Sequence, residues 1–294
     1  MKSNNTYKYV DYLWDEKKAA SLGNDQVALF LYRSNILGVD LRITNFGGGN
    51  TSCKTIEKDP IAKEKVEVMW IKGSGGDIGT LNRDGIAGLY NQKLHDLKKV
   101  YQGIEHEDEM VALFNHCIYD LDSRAPSIDT PLHGLLPFKH IDHLHPDALI
   151  AVAAAKDSEK ITKEIWGDTM GWVPWQRPGF DLGLKLEVCL EKNPKIRGIV
   201  LGSHGVFTWG DTSYHCYVNS LEVIESASQY IADKIGAMVG SNTETGIAVT
   251  YQDGDNTLDF VVGTLNQDTT GTADNITISA NNSTDETVYP IFVD

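Results

Sequence analysis

From Gly240 to Asp294 the chain contains no lysine or arginine, and this break limits what it can fold into more than any single motif does. All 26 basic residues and 32 of the 41 acidic ones precede it, which leaves the body at −6 and the tail at −9. The tail is rich in Thr, Asn, Asp and Gly. Its short alternating stretches, Gly246-Ile247-Ala248-Val249-Thr250-Tyr251 and Asn275-Ile276-Thr277-Ile278-Ser279, are separated by turn-forming clusters. Residues 240–294 are therefore expected to be a short β-rich or disordered appendage, and residues 1–239 a separate domain.

The body alternates helical and extended signals, the pattern of a mixed α/β domain. Apolar spacing predicts helix within 13–37, and 41–54 reads as extended around Gly47-Gly48-Gly49. Val66 to Ile71 alternates like a half-buried strand and runs into Gly73-Ser74-Gly75-Gly76. Further helices are predicted over 81–100, 107–120, from Asp147, over 180–192 and over 212–235. Strands are predicted at 141–145 and 197–201.

A net charge of −15 repels the phosphate backbone that supplies most non-specific nucleic-acid affinity, so no nucleic-acid partner is expected. No apolar run is long enough to span a bilayer, and the first residues lack a signal-peptide core. The expected location is the cytoplasm, with no membrane partner. Cys53, Cys117, Cys189 and Cys216 are too scattered for a disulfide framework or a cysteine zinc site.

The residues that can carry chemistry centre on histidine. In His143-x-His145 the side chains at i and i+2 leave a strand on the same face and can share one ion. His204 ends a third apolar strand beside Gly202 and Gly205. Three neutral imidazoles with an open position suit a catalytic zinc, Zn²⁺, whereas a lone H-x-H is more often an ordinary surface or core pair. His133 and His140 lie near enough in sequence to stand behind the ligands. Asp129, in Ser127-Ile128-Asp129-Thr130-Pro131, has two readings: a general acid/base near the metal, or an N-cap ahead of Pro131. The turns Gly47–Ser52 and Lys72–Asp77 each follow extended chain, and each is either an anion cradle or a tight turn.

Taken together these motifs resemble the class II aldolase/adducin family. The run Ser127-Ile128-Asp129-Thr130-Pro131-Leu132-His133, continuing through His140-Ile141-Asp142-His143-Leu144-His145-Pro146-Asp147, is most similar to the aldolase half of bifunctional rhamnulose-1-phosphate aldolase/lactaldehyde dehydrogenases, over roughly residues 8–236 in one order. The resemblance implies a three-layer α/β/α domain, zinc on His143, His145 and His204, and Asp129 as the catalytic acid; apart from the resemblance, Asp142 is the neighbouring acid that would serve should Asp129 not. It implies a substrate phosphate held by Asn50, Ser74, Gly75 and Ser127, with His133 supporting the ligands. Aspartate stands where the family usually has glutamate, one methylene longer, and 14 residues separate it from His143, short for the broader family.

The implied reaction is zinc-dependent cleavage of a ketose 1-phosphate, L-rhamnulose 1-phosphate, to dihydroxyacetone phosphate and L-lactaldehyde by a homo-oligomer. The alternatives are a sugar-phosphate epimerase or dehydratase on the same scaffold, and a non-catalytic virion-associated fusion, since the tail has a weak likeness to phage structural proteins. With no G-x-G-x-x-G after a strand, no NAD activity is expected.

Overall fold

A computed structural model describes residues 7–240, 246–252 and 254–262. It divides into two compact units, residues 1–235 and 236–294. The first is built on a seven-stranded sheet in the order β3-β2-β1-β4-β7-β6-β5. The helices α1 (Glu16–Ser21) and α2 (Gln26–Gly38) precede β1 (Asn50–Lys58), β2 (Lys65–Lys72) and β3 (Ile86–Tyr90). Then come α3 (Asn91–Asp96), α4 (Glu107–Leu113), α5 (Thr130–Gly134), β4 (His140–Leu144), α6 (Asp147–Ala154) and α7 (Ser158–Trp166). β5 (Gly171–Val173), α8 (Phe180–Lys192), β6 (Gly198–Leu201), β7 (Gly205–Gly210) and α9 (Ser213–Val239) complete the order. Neighbouring strands are antiparallel except the parallel pair β5 and β6.

The sheet is covered on both sides, which makes the expected three layers. On one side Leu37, Leu144, Leu149, Val206, Tyr217 and Leu221 pack α2, α6 and α9 onto β4 and β7. On the other, Leu132, Ile141, Leu186, Ile199 and Phe207 join α5 and α8 to β4, β6 and β7. Residues this deeply buried give an apolar core on each side of the sheet, the dominant favourable contribution to folding.

Three elements differ from the sequence expectation. Residues 81–100, read as helix, hold β3 before α3 begins. The helical spacing of 13–37 is interrupted at Leu22–Asp25, where Gly23 takes φ 61° and Asp25 caps α2 through Ala28 N. Residues 205–210, for which no element is predicted, form β7, whose Val206 and Thr208 face one layer and Phe207 and Trp209 the other. The second unit contains a hairpin of β8 (Ile247–Gln252) and β9 (Thr257–Val262). The alternating stretch at 275–279 lies outside the described residues. Among the described residues no helix is long and apolar enough to cross a membrane.

Candidate metal centre

The three histidines meet at one end of the central strands. His143 leaves β4, His145 follows two residues later past the strand end, and His204 sits in the turn that joins β6 to β7. One ligand atom from each lies within 4.8 Å of the other two, the one such cluster of His, Cys, Asp or Glu among the described residues. The Nε2 atoms of His143 and His145 are 3.0 Å apart.

The local chain dictates this convergence. His143 donates from Nδ1 to the Val206 carbonyl at 3.1 Å, which leaves its Nε2 lone pair facing the cluster, and the ring stacks on Phe207 at 4.4 Å. Ser203 adopts φ 56°, a left-handed conformation that L-residues avoid, and so reverses the chain just before His204. The turn at Gly48-Gly49 presses against the same end of β4. A side chain on Gly49, which has φ 72°, would come within 2.9 Å of the His143 carbonyl, and one on Gly48 would meet His145 Nδ1 at 3.3 Å.

Burial pushes all three imidazoles below their ordinary range. His143, also beside its two neighbours, falls well below it, His145 falls to about 4, and His204 falls although Asp129 opposes the shift. They are thus neutral near pH 7, the state in which imidazole binds a metal.

Asp129 occupies the N-cap position of α5, but its side chain makes no capping bond. It turns instead to Asn50, whose Nδ2 donates to Oδ2 at 2.5 Å, so the two sequence readings separate into backbone position and side-chain use. Burial raises its carboxyl, against the pull of His204, Asn50 and Lys72. Asn50 begins a series along one face of β1. Ser52 Oγ lies 2.8 Å from His133 Nδ1, and Lys54 Nζ donates to the carbonyls of Gly134, at 3.2 Å, and Leu136. Three alternate residues of one strand therefore hold α5 along its length.

The two glycine turns come together. Asp77 accepts from Gly47 N and from Gly79 N, both at 2.9 Å. Ser74 N donates to the Ala125 carbonyl, and Arg124 Nε to the Ser74 carbonyl at 2.7 Å, which ties the turn carrying Ser74 and Gly75 to the segment leading into Ser127. Asn50 Oδ1 and Ser127 Oγ are buried without partners among the described residues. Buried polar atoms are rarely left so, and these two suit a polar ligand.

Arg124 was not anticipated, and Lys72 enters the sequence expectation only as the first residue of the Lys72–Asp77 turn, with no role of its own. Lys72 is 4 % exposed, makes no ion pair among the described residues, and has Asp129 as its strongest charged neighbour. Neither residue carries a local signal, since only the fold brings the end of β2 to residue 129. His133, expected behind the ligands, bonds Ser52 and packs on Phe207. His140 faces the opposite side of β4, where Arg33 Nη1 donates to its Nδ1 at 2.9 Å. Asp142, the fallback acid, is on that same far side. Its carboxylate pairs with buried Arg33 at 2.8 Å and accepts from Ser220 and Cys216, so it cannot reach the histidines.

Residues 31–231, more than half of the chain, match the model of the Class II Aldolase and Adducin N-terminal domain. The chain belongs to the class II aldolase/adducin family. It is 42 % identical over 227 residues to the uncharacterized oxidoreductase YuxG of Bacillus subtilis, covering 77 % of this chain and 32 % of that protein. The chain thus spans about a third of that relative's length. Among solved structures, it resembles the N-terminal class II aldolase domain of a conserved Thermoplasma acidophilum protein, with 28 % identity, a TM-score of 0.64, and 77 % and 99 % of the two chains covered. The sugar-phosphate aldolase of Thermotoga maritima shares the fold, at 16 % identity and a TM-score of 0.53, over 74 % and 97 % of the two chains. Class II aldolases typically depend on a divalent metal, and the histidine cluster supplies a donor set for one.

Proposed function

We propose that this family member is a zinc-dependent aldehyde-lyase that cleaves L-rhamnulose 1-phosphate to dihydroxyacetone phosphate and L-lactaldehyde. The observation that carries the reading is the juxtaposition of three mutually facing imidazoles with a part-buried carboxyl, Asp129, held by Asn50, which stands opposite His143 in the sheet register. The donor set fits zinc: three nitrogen ligands, one with its tautomer fixed by a backbone carbonyl. Zinc held by His143, His145 and His204 would supply Lewis-acid stabilisation of the charge that develops on the ketose oxygens.

The chain's own residues account for the rest. As the C3–C4 bond breaks, the C4 hydroxyl loses its proton to water and becomes the lactaldehyde carbonyl. The protonated Asp129 carboxyl, raised by burial, gives a proton to C3 and is reprotonated from solvent; Asn50 fixes its orientation through the 2.5 Å hydrogen bond. Ser74, Gly75, Ser127 and Asn50 bind the phosphate with backbone and hydroxyl donors. Lys72, buried and without an ion pair among the described residues, adds the positive charge such a group calls for. We place this activity in the cytoplasm and assign the active form to a homo-oligomer.

The oxidoreductase name belongs to a relative three times as long as the matched stretch; no G-x-G-x-x-G turn follows a strand here to hold a dinucleotide. Incubating the metal-loaded chain with L-rhamnulose 1-phosphate and identifying the products tests the reading. Dihydroxyacetone phosphate and lactaldehyde are expected. A product with an intact six-carbon skeleton would instead make the chain an epimerase or dehydratase.

A further inference from the structure

The turn after β2 and the segment before α5 are joined by one side chain. Arg124 lies across Gly73-Ser74-Gly75: its Nε donates to the Ser74 carbonyl at 2.7 Å, and Ser74 N donates to the Ala125 carbonyl at 2.9 Å. The two glycines make room for it. A Cβ on Gly73 would lie 2.8 Å from Arg124 Cβ and 2.9 Å from its Cγ, closer than real contacts allow. One on Gly75, at φ 72°, would lie 3.4 Å from Arg124 Nη2. The glycine spacing around Ser74 thus follows from the path of the Arg124 side chain.

The guanidinium is held by one nitrogen only. Arg124 is exposed, and its Nη1 and Nη2 make no hydrogen bond or ion pair among the described residues. Three residues on, in the same segment, stands the buried Ser127 Oγ, without a partner among the described residues. Arg124 is also within electrostatic reach of Lys72. Burial pushes the Lys72 ammonium below its ordinary range, Asp129 and Asp77 oppose the shift, and Arg124 adds to it. The two carboxylates therefore answer Lys72; Asp129 accepts from Asn50 and Asp77 from Gly47 and Gly79, and neither pairs with Arg124 among the described residues. A planar fork pinned at Nε, with two nitrogens uncommitted, is pre-ordered for two-point contact with a tetrahedral oxyanion in a way that a flexible ammonium is not.

We propose that Arg124 is a specificity-determining residue of this site, its Nη1 and Nη2 making a two-pronged contact that selects a ketose carrying a phosphate ester over the same ketose without one. The inference rests on reading the turn at Ser74 and Gly75 as the place of the substrate's phosphate. Ser74, Gly75 and Ser127 offer neutral donors, which bond a hydroxyl as well as a phosphate oxygen, and Lys72 offers a point charge shared with Asp129 and Asp77. Arg124 adds a directed contact that reaches full strength only with an anion.

The test uses the full chain as wild type, Arg124→Gln and Arg124→Lys. Glutamine places its amide nitrogen where Arg124 has Nε, so it keeps the tie to Ser74 and removes the fork; lysine keeps the charge without the fork. Titration with inorganic phosphate, followed at the backbone amides of residues 73–77 by NMR, is expected to give saturable shifts in the wild type. Arg124→Gln should weaken this binding about tenfold, and Arg124→Lys should recover only part of the loss. On metal-loaded protein, the preference in kcat/KM for L-rhamnulose 1-phosphate over L-rhamnulose should fall by the same factor in Arg124→Gln. Unchanged phosphate binding in Arg124→Gln, full recovery by lysine, or equal loss of kcat/KM on both substrates would overturn the proposal, as would absence of shifts in the wild type. Phosphate binding that depends on Arg124 in a chain that cleaves neither substrate would reject the aldolase reading and uphold Arg124 as the phosphate selector.

Discussion

Asn50 Nδ2 lies 2.5 Å from Asp129 Oδ2, and the residue opposite Asn50 in the sheet register is His143. One residue of β1 thus links the carboxyl proposed to move the proton to the strand that carries His143, one of the proposed metal ligands. This geometry makes the roles separable by substitution.

Asp129→Asn preserves the shape at the head of α5 and removes only the titrating oxygen. Metal content is expected to stay at the wild-type level while turnover falls by roughly 10² to 10⁴, the usual contribution of a positioned acid or base. Steady-state kinetics paired with metal analysis check it; near-normal turnover would remove Asp129 from the mechanism.

Lys54 gives a pH dependence of stability with a definite sign. Its ammonium falls from 10.5 to about 8 on burial, so between those values the unfolded chain binds more protons than the folded one. Its contribution to stability therefore rises as the pH increases from about 8 to about 10.5, by at most about 3 kcal/mol. Below pH 8 both states are protonated and the full cost of burying the charge is present. Denaturant unfolding at several pH values, compared with Lys54→Met, should show this rise in the wild type and its loss in the variant.

Much of this arrangement was legible in the sequence. Helix α8 runs from Phe180 to Lys192 as its apolar spacing indicates, and His143 and His145 come together as their i, i+2 spacing suggests, although only His143 lies within β4. The same period of two separates Asp142 from His143, so its unsuitability as the acid was readable too. What could not be read is long-range. β3 is buried at four consecutive positions and shows no alternation to distinguish it from helix. Lys72 and Arg124 acquire meaning only when the end of β2 and the segment before α5 meet, and no local pattern records that contact.

The turn before His204 is expected to tolerate few residues. Ser203 has φ 56°, so Ser203→Val should destabilise the chain by about 1–2 kcal/mol relative to Ser203→Gly. It should also weaken metal retention, because His204 follows directly. Thermal unfolding and metal titration of the two variants make the comparison.

The domain division is itself testable. A chain ending at Gly240 lacks the segment without lysine or arginine, and we expect it to fold with the metal content and melting temperature of the full chain. Insolubility or loss of metal would show that residues beyond Gly240 complete the core of the body.

The most direct test of the central claim is the zinc stoichiometry of the purified full chain and of His204→Ala, measured with circular dichroism to establish that both are folded. One zinc per wild-type chain is expected, with zinc falling well below stoichiometric in the folded variant, which keeps only two of the three converging imidazoles. Stoichiometric zinc retained by His204→Ala would contradict a centre built from His143, His145 and His204.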